Sequence, residues 1–196
     1  MPAQPLVGRL FIAAPLTDAV RSALWDHLTQ ALRGRDLPGH VVRPASWHLT
    51  LRFLGDTPRD AFEAVRAQMT AAALGAPFDV AFTTLGAFPT PVGARVLWIG
   101  TGEGARQLAA LAGHAERAAV AAGFPPERRP FAAHLTLSRL RPEADVRTVI
   151  AAVPPFTERV TVDEVIIYRS HLGPGGARYE ALERVPLAAA DRTPRT

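Results

Sequence analysis

The chain has 196 residues, with 22 basic and 18 acidic side chains for a net charge of +4, and it is 48% hydrophobic and 20% charged, the balance of a globular protein with room for a full core. It contains no cysteine, which excludes disulfides, thiol nucleophiles and thiolate metal sites. All 22 basic side chains are arginine, with no lysine. That rules out Schiff-base chemistry and a P-loop lysine, and it assigns any phosphate contact to the planar guanidinium fork.

In chain order, Gly8–Ala14 reads as a first buried strand stopped by Pro15. Thr17 and Asp18 open a helix as N-cap and first-turn acid. Val20, Leu24, Leu28 and Leu32 form its apolar stripe, and Gly34 ends it. A loop and a strand at Val41-Val42 lead to His48. The stretch 54–58 reads as a turn into a second helix, with Thr57 as N-cap and Pro58 at the first helical position. Phe62, Val65, Met69 and Ala72 line that helix, and Gly75 closes it. Phe78–Phe88 and Ala94–Ile99 are predicted strands, followed by an alanine-rich helix between Gly104 and Gly123. A short helix is expected over Glu143–Ala152. Final strands at Thr161–Tyr168 and Arg178–Val185 flank the hairpin signal of residues 173–176.

This order predicts an α+β fold: bilobal, two pseudo-symmetric antiparallel sheets with outer helices and a central cleft. No linker divides it, so residues 1–196 are expected to form a single bilobal domain with a frayed tail over 188–196. No stretch approaches the roughly 18 apolar residues of a membrane span, and the N-terminal residues lack the pattern of a signal peptide. The expectation is a cytoplasmic protein with no membrane contact.

One frame occurs twice. Arg43-Pro44-Ala45-Ser46-Trp47-His48-Leu49-Thr50-Leu51 and Arg129-Pro130-Phe131-Ala132-Ala133-His134-Leu135-Thr136-Leu137 share Arg, Pro, His, Leu, Thr and Leu at a constant offset of 86 residues (134 − 48), in a chain with only six histidines. Leu and Thr favour strands, whose side chains alternate faces. His48 and Thr50 then share one face, as do His134 and Thr136, while the leucines point into a core. Two imidazoles facing one cleft make a general acid and a general base that titrate near neutral pH. With no cysteine or carboxylate at ligand spacing, the pair does not read as a metal site. His27 and His114 fall on predicted helices as structural or solvated groups; His40 and His171 fall in loops.

The doubled frame resembles the two-histidine phosphoesterase superfamily, and within it the LigT-type RNA 2′,3′-cyclic phosphodiesterases of the 2′-5′ RNA ligase family. Arg9–Ala13 is similar to that branch's first strand, Trp47–Gly55 to its first motif, Pro130–Arg139 to its second and Ser170–Tyr179 to its C-terminal hairpin. The resemblance implies hydrolysis of a terminal 2′,3′-cyclic phosphate to a 2′-phosphomonoester, with no metal and no cofactor. It implies His48 as proton donor, His134 as proton acceptor, Thr50, Thr136 and Arg139 as phosphate ligands, and Phe11 as the base-stacking residue. Strict alternation places Arg139 on the face opposite His134 and Thr136, so the strand must bulge there for Arg139 to serve. The expected partner is an RNA end bearing a 2′,3′-cyclic phosphate, tRNA fragments included, met by a monomer. Alternatives are the reverse 2′-5′ ligation, a small cyclic-nucleotide phosphodiesterase and a non-catalytic RNA-end binding protein. Arg128, Arg129, Arg139 and Arg141 hint at a basic track for RNA.

Overall fold

The computed structural model describes residues 5–173 and 176–188. Its strands are β1 (Leu6–Pro15), β2 (His40–Val41), β3 (His48–Pro58), β4 (Phe78–Pro89), β5 (Ala94–Thr101), β6 (His134–Ala144), β7 (Arg159–Val162), β8 (Glu164–Gly173) and β9 (Gly176–Pro186). The helices are α1 (Asp18–Ala31), α2 (Arg59–Ala71), α3 (Ala105–Ala121) and α4 (Arg147–Ala152), with a 3₁₀ turn at Pro44–Ser46. Two antiparallel sheets result, one ordered β3-β1-β8-β9 and the other β2-β6-β5-β4-β7. Placing β3 on β6 and β1 on β5 carries the first order onto the second, with β2 added outside β6. The expected α+β architecture of two related sheets is present. None of the described helices is long and apolar enough to cross a membrane.

Each helix is fastened by the face it buries. Thr17 caps α1 by accepting from the Val20 amide, and Leu24 and Leu28 go inward. In α2 the buried set is Phe62, Val65 and Met69, each worth roughly 1.5–3 kcal/mol of apolar burial. The core residues of both sheets and the helices belong to one hydrophobic cluster.

Three local expectations give way to sheet pairing. Residues 54–58 are not a turn. β3 runs on to Pro58, because β1 supplies partners along this stretch, Leu6 opposite Pro58 and Arg9 opposite Asp56. Gly55 takes a left-handed φ of 74° within the strand. Thr57 does not cap α2: it is buried and donates to the Gly55 carbonyl at 2.9 Å, and Pro58 occupies the N-cap position. The helix expected from Glu143 starts only at Arg147, since β6 continues to Ala144, which pairs with Ala94. The strand expected over Thr161–Tyr168 is two strands broken at Asp163. Val160 and Val162 join the second sheet against β4, while Val165, Ile166 and Ile167 are buried in the first. Helices α1 and α2 end at Ala31 and Ala71, short of Gly34 and Gly75. At the C-terminal hairpin Gly173 pairs with Gly176; residues 174–175 and the expected tail beyond Ala188 lie outside the described residues.

Arg52 ties the first frame to the approach to the second. Its side chain is only 11% exposed, lies 2.5 Å from the Glu116 carboxylate of α3, and donates to the carbonyls of Phe53 (2.7 Å) and Pro125 (2.6 Å). Glu116 in turn accepts from the Glu127 amide at 2.8 Å. Removing one partner of such a pair strands the other charge. Arg52→Ala is therefore expected to lower unfolding free energy by about 3 kcal/mol, measured by denaturant titration, whereas the same change at the exposed Arg9 is expected to stay within about 0.5 kcal/mol.

Candidate active site

His48 and His134 are the first residues of β3 and β6, and each is held in the same way. The Nδ1 of His48 donates to the Ser46 carbonyl at 2.8 Å, and that of His134 to the Ala132 carbonyl at 2.7 Å. A carbonyl only accepts, so Nδ1 carries hydrogen in both rings and Nε2 is left as the nitrogen open to a ligand. An aromatic ring stands edge-on to each imidazole: Tyr179 against His48 and Phe88 against His134, both at 5.2 Å between centroids. Carbonyl and aromatic ring together leave each imidazole little freedom to turn.

Leu49, Leu51, Leu135 and Leu137 are buried while Thr50 and Thr136 share the half-buried face with the histidines, as alternation requires. Among the described residues neither threonine hydroxyl has a hydrogen-bond partner, so both are available to a ligand.

Arg139 reaches the same face through a β-bulge. Trp98 pairs with Thr136 and Leu97 with Ser138, so Leu137 is an extra residue on β6. Leu137 and Ser138 both face inward, and Arg139 emerges exposed on the side of His134 and Thr136. β3 bulges at the equivalent place: Ala13 pairs with Thr50 and Ile12 with Arg52, leaving Leu51 as the extra residue, 86 positions before Leu137. The residue that this second bulge turns outward, equivalent to Arg139, is Phe53, whose side chain is 60% exposed.

The two frames are stitched together. β2 pairs with β6, setting His40 opposite Arg139. The Val42 amide donates to the Leu137 carbonyl at 2.8 Å, and the indole of the buried Trp47 donates to the Val42 carbonyl at 2.9 Å. The bulge of β6 is thus linked through two hydrogen bonds to the residue before His48. The positive charge of Arg139 is felt at His48. Burial above all, with Arg21 and Arg139 adding to it, pushes the His48 imidazole from 6.5 down to about 4. The ring is neutral at pH 7. Because its folded value lies below the unfolded one, the stability it contributes is present above pH 6.5 and is lost as pH falls toward 4.

Phe11 does not lie where a base could stack on it. It is 3% exposed, under the His48 ring (4.8 Å), stacked on Tyr168 (5.2 Å) and edge-on to Tyr179 (4.9 Å). The position that the family resemblance assigned to base stacking is in a central strand, flanked by β3 and β8, and the rings of His48, Tyr168 and Tyr179 cover it. Phe53 was missed, although the 86-residue offset applied to Arg139 points to it. Tyr168, Tyr179, Phe88 and Trp98 lie outside the repeated frame, and only the strand pairing brings them to the imidazoles. Trp98 is seated over Gly86, where a Cβ would stand 2.3 Å from the indole ring. Of the loop histidines, both are in strands: His171 of β8 contacts Glu180 at 2.7 Å, and His40 lies in β2.

The family model described as the 2′-5′ RNA ligase superfamily matches residues 20–174. The chain belongs to that superfamily. A curated relative from Geobacillus stearothermophilus, named RNA 2′,3′-cyclic phosphodiesterase, is 34% identical over 92% of this chain; the match spans 57% of that relative's length. A relative of the same name from Thermus thermophilus is 32% identical over 91% of this chain and 90% of its own. Escherichia coli LigT in complex with 3′-AMP superposes with a TM-score of 0.78 at 27% identity, covering 92% of this chain and 98% of LigT. The fold of this 2′-5′ RNA ligase superfamily member is accordingly that of LigT, two antiparallel sheets and their helices.

Phe11 supports His48 from below, so Phe11→Ala is expected to cost about 3–5 kcal/mol in stability, read by thermal or chemical unfolding. A variant of unchanged stability with weakened nucleotide binding would return Phe11 to the binding surface.

Proposed function

We propose that the protein hydrolyses the terminal 2′,3′-cyclic phosphate of RNA to a 2′-phosphomonoester by metal-independent acid–base catalysis. The observation that carries this reading is the matched pair of imidazoles, each locked through Nδ1 and each beside an unoccupied threonine hydroxyl, on a face that the Leu137 bulge completes with Arg139. His134 takes a proton from water as its oxygen bonds to phosphorus. The bond from phosphorus to the 3′ oxygen breaks, and His48 gives its Nε2 proton to that oxygen. Thr50 and Thr136 donate to the non-bridging oxygens, and Arg139 balances the charge they gather. Phe53 presents its exposed ring to the terminal base, since any base offers a π-face to an aromatic.

A donor must begin protonated, and His48 in the free protein is neutral. The anionic substrate supplies what is missing: its charge offsets Arg21 and Arg139 and raises the affinity of His48 for a proton. Ligation is the same chemistry with a ribose 5′-hydroxyl in place of water, and hydrolysis is the stronger reading because water is the abundant nucleophile. The names of the curated relatives support an RNA substrate. On this reading the substrates are RNA ends, tRNA fragments among them, met in the cytoplasm by a single copy of the chain; the absence of cysteine suits a reducing compartment.

The test is a short RNA ending in 2′,3′-cyclic phosphate, with the product phosphate located by NMR. A 2′-phosphate is expected; a 3′-phosphate or no turnover would sink the proposal. His48→Ala and His134→Ala are each expected to lower kcat by about 10²–10⁴, and excess chelator is expected to leave the rate unchanged. Calorimetric binding of adenosine 2′-phosphate in buffers of different ionisation enthalpy is expected to show proton uptake that disappears in His48→Ala. If the uptake persists in that variant, the donor role passes to His134. Phe53→Ala is expected to weaken binding of the same ligand by about 1–3 kcal/mol without a change in unfolding temperature.

A further inference from the structure

The arginine of the repeated frame has no task in the catalytic reading, and its two copies differ in surroundings. Arg43 lines a cavity of about 340 Å³ that opens beside His48. Arg21 of α1 and Arg178 of β9 line the same cavity, as do Tyr168, Tyr179 and His48 itself. Arginines from three separate parts of the chain therefore line one cavity. Among the described residues no aspartate or glutamate lines the cavity.

Arg21 is the fixed member. Its side chain is 19% exposed; Nη1 lies 2.8 Å from the highly exposed Asp18 carboxylate, and Nη2 donates to the Trp47 carbonyl at 3.4 Å. Its Nε is buried and has no hydrogen-bond partner among the described residues. Arg43 and Arg178 are exposed and make no ion pair among the described residues. Burial raises both tyrosines above their ordinary pKa, so their hydroxyls stay protonated as donors. Of these arginines, Arg21 also acts on His48, whose pKa is lowered first by burial and then by the charges of Arg21 and Arg139.

A mononucleotide with a 2′,3′-cyclic phosphate has one anion, and the catalytic face absorbs it. An RNA end has a second, the phosphodiester on the 5′ side of the terminal ribose. We propose that the cavity bounded by Arg21, Arg43 and Arg178 is a second phosphate subsite that takes this internucleotide phosphodiester. The inference rests on the cyclic phosphodiesterase reading above and deepens it: the cavity makes the enzyme select a polynucleotide end over a cyclic mononucleotide. Arginine forks suit such a diester, and each contact adds binding that salt weakens.

The experiment compares adenosine 2′,3′-cyclic phosphate, the adenylyl dinucleotide ending in the same group, and that dinucleotide with an uncharged methylphosphonate linkage. In the wild type the dinucleotide is expected to have a KM about tenfold lower than the mononucleotide, and the methylphosphonate is expected to lose that advantage. In the double variant Arg43→Gln, Arg178→Gln the dinucleotide is expected to fall to the level of the mononucleotide, whose own kcat/KM stays unchanged. Equal wild-type values for the mononucleotide and dinucleotide would overturn the subsite. So would a variant that loses equally on both substrates, or a methylphosphonate as good as the natural linkage. A mononucleotide bearing a 5′-phosphate that gained more than the dinucleotide would overturn the RNA assignment in favour of a free phosphomonoester. Calorimetric affinities of the corresponding 2′-phosphate products give the same comparison without turnover, so a chain that hydrolysed none of these substrates would sink the phosphodiesterase reading while the subsite was still decided.

Discussion

A strand that alternates strictly cannot present residues 134, 136 and 139 on one face, and the site depends on that face. One inserted residue, Leu137, shifts the phase of β6 so that Arg139 emerges beside His134 and Thr136. The cost is a locally broken ladder and a buried Ser138 hydroxyl without a partner among the described residues; the sheet around it, paired on both sides by β2 and β5, is what holds the irregularity in place. The matching bulge at Leu51 turns Phe53 outward in the other sheet. The duplication has thus kept the backbone device and changed the side chain it delivers. One copy offers a cation and the other an aromatic ring, a division that fits a ligand with a charged end and a flat end.

The imidazoles show the same combination of shared frame and altered surroundings. Carbonyl and aromatic contacts around them match closely in both halves, including the 5.2 Å edge-on ring. The electrostatic setting of His48 comes from outside the repeat. His48 sits over the buried Phe11, and burial above all, with the charges of Arg21 and Arg139 added, lowers its affinity for a proton in the free protein. These influences on His48 come from neighbours contributed by α1, β6 and the aromatic strands rather than from the repeated motif. Arginine is the only strong cation available to this chain, so the side chains that add to the effect of burial on His48 are also of the kind suited to holding phosphate.

The departures from local reading share one cause. Gly55-Asp56 and Thr57-Pro58 have turn and cap chemistry, yet β1 offers backbone partners along the whole stretch, and pairing overrides the local preference. Asp163 does not look like a strand break within a β-branched run, but two sheets compete for its flanks, and the chain changes sheet there. In both places a few tenths of a kcal/mol of local propensity is outweighed by several hydrogen bonds and buried side chains.

The sequence by itself determined the α+β class, the two-sheet plan, and the four residues His48, Thr50, His134 and Thr136 on the polar faces of their strands. It could do so because period-two alternation and an 86-residue duplication are local or linear properties. It also stated the condition under which Arg139 would serve, without being able to say whether the condition was met. Only the tertiary structure decided that, since a bulge is defined by what the neighbouring strand pairs with. It likewise decided that Phe11 is covered and Phe53 is not, because exposure depends on which strands flank a residue. The arginines of the cavity beside His48 are 22 and 135 positions apart in the chain (43 − 21 and 178 − 43). Their convergence is a fact of packing that no spacing along the sequence reveals.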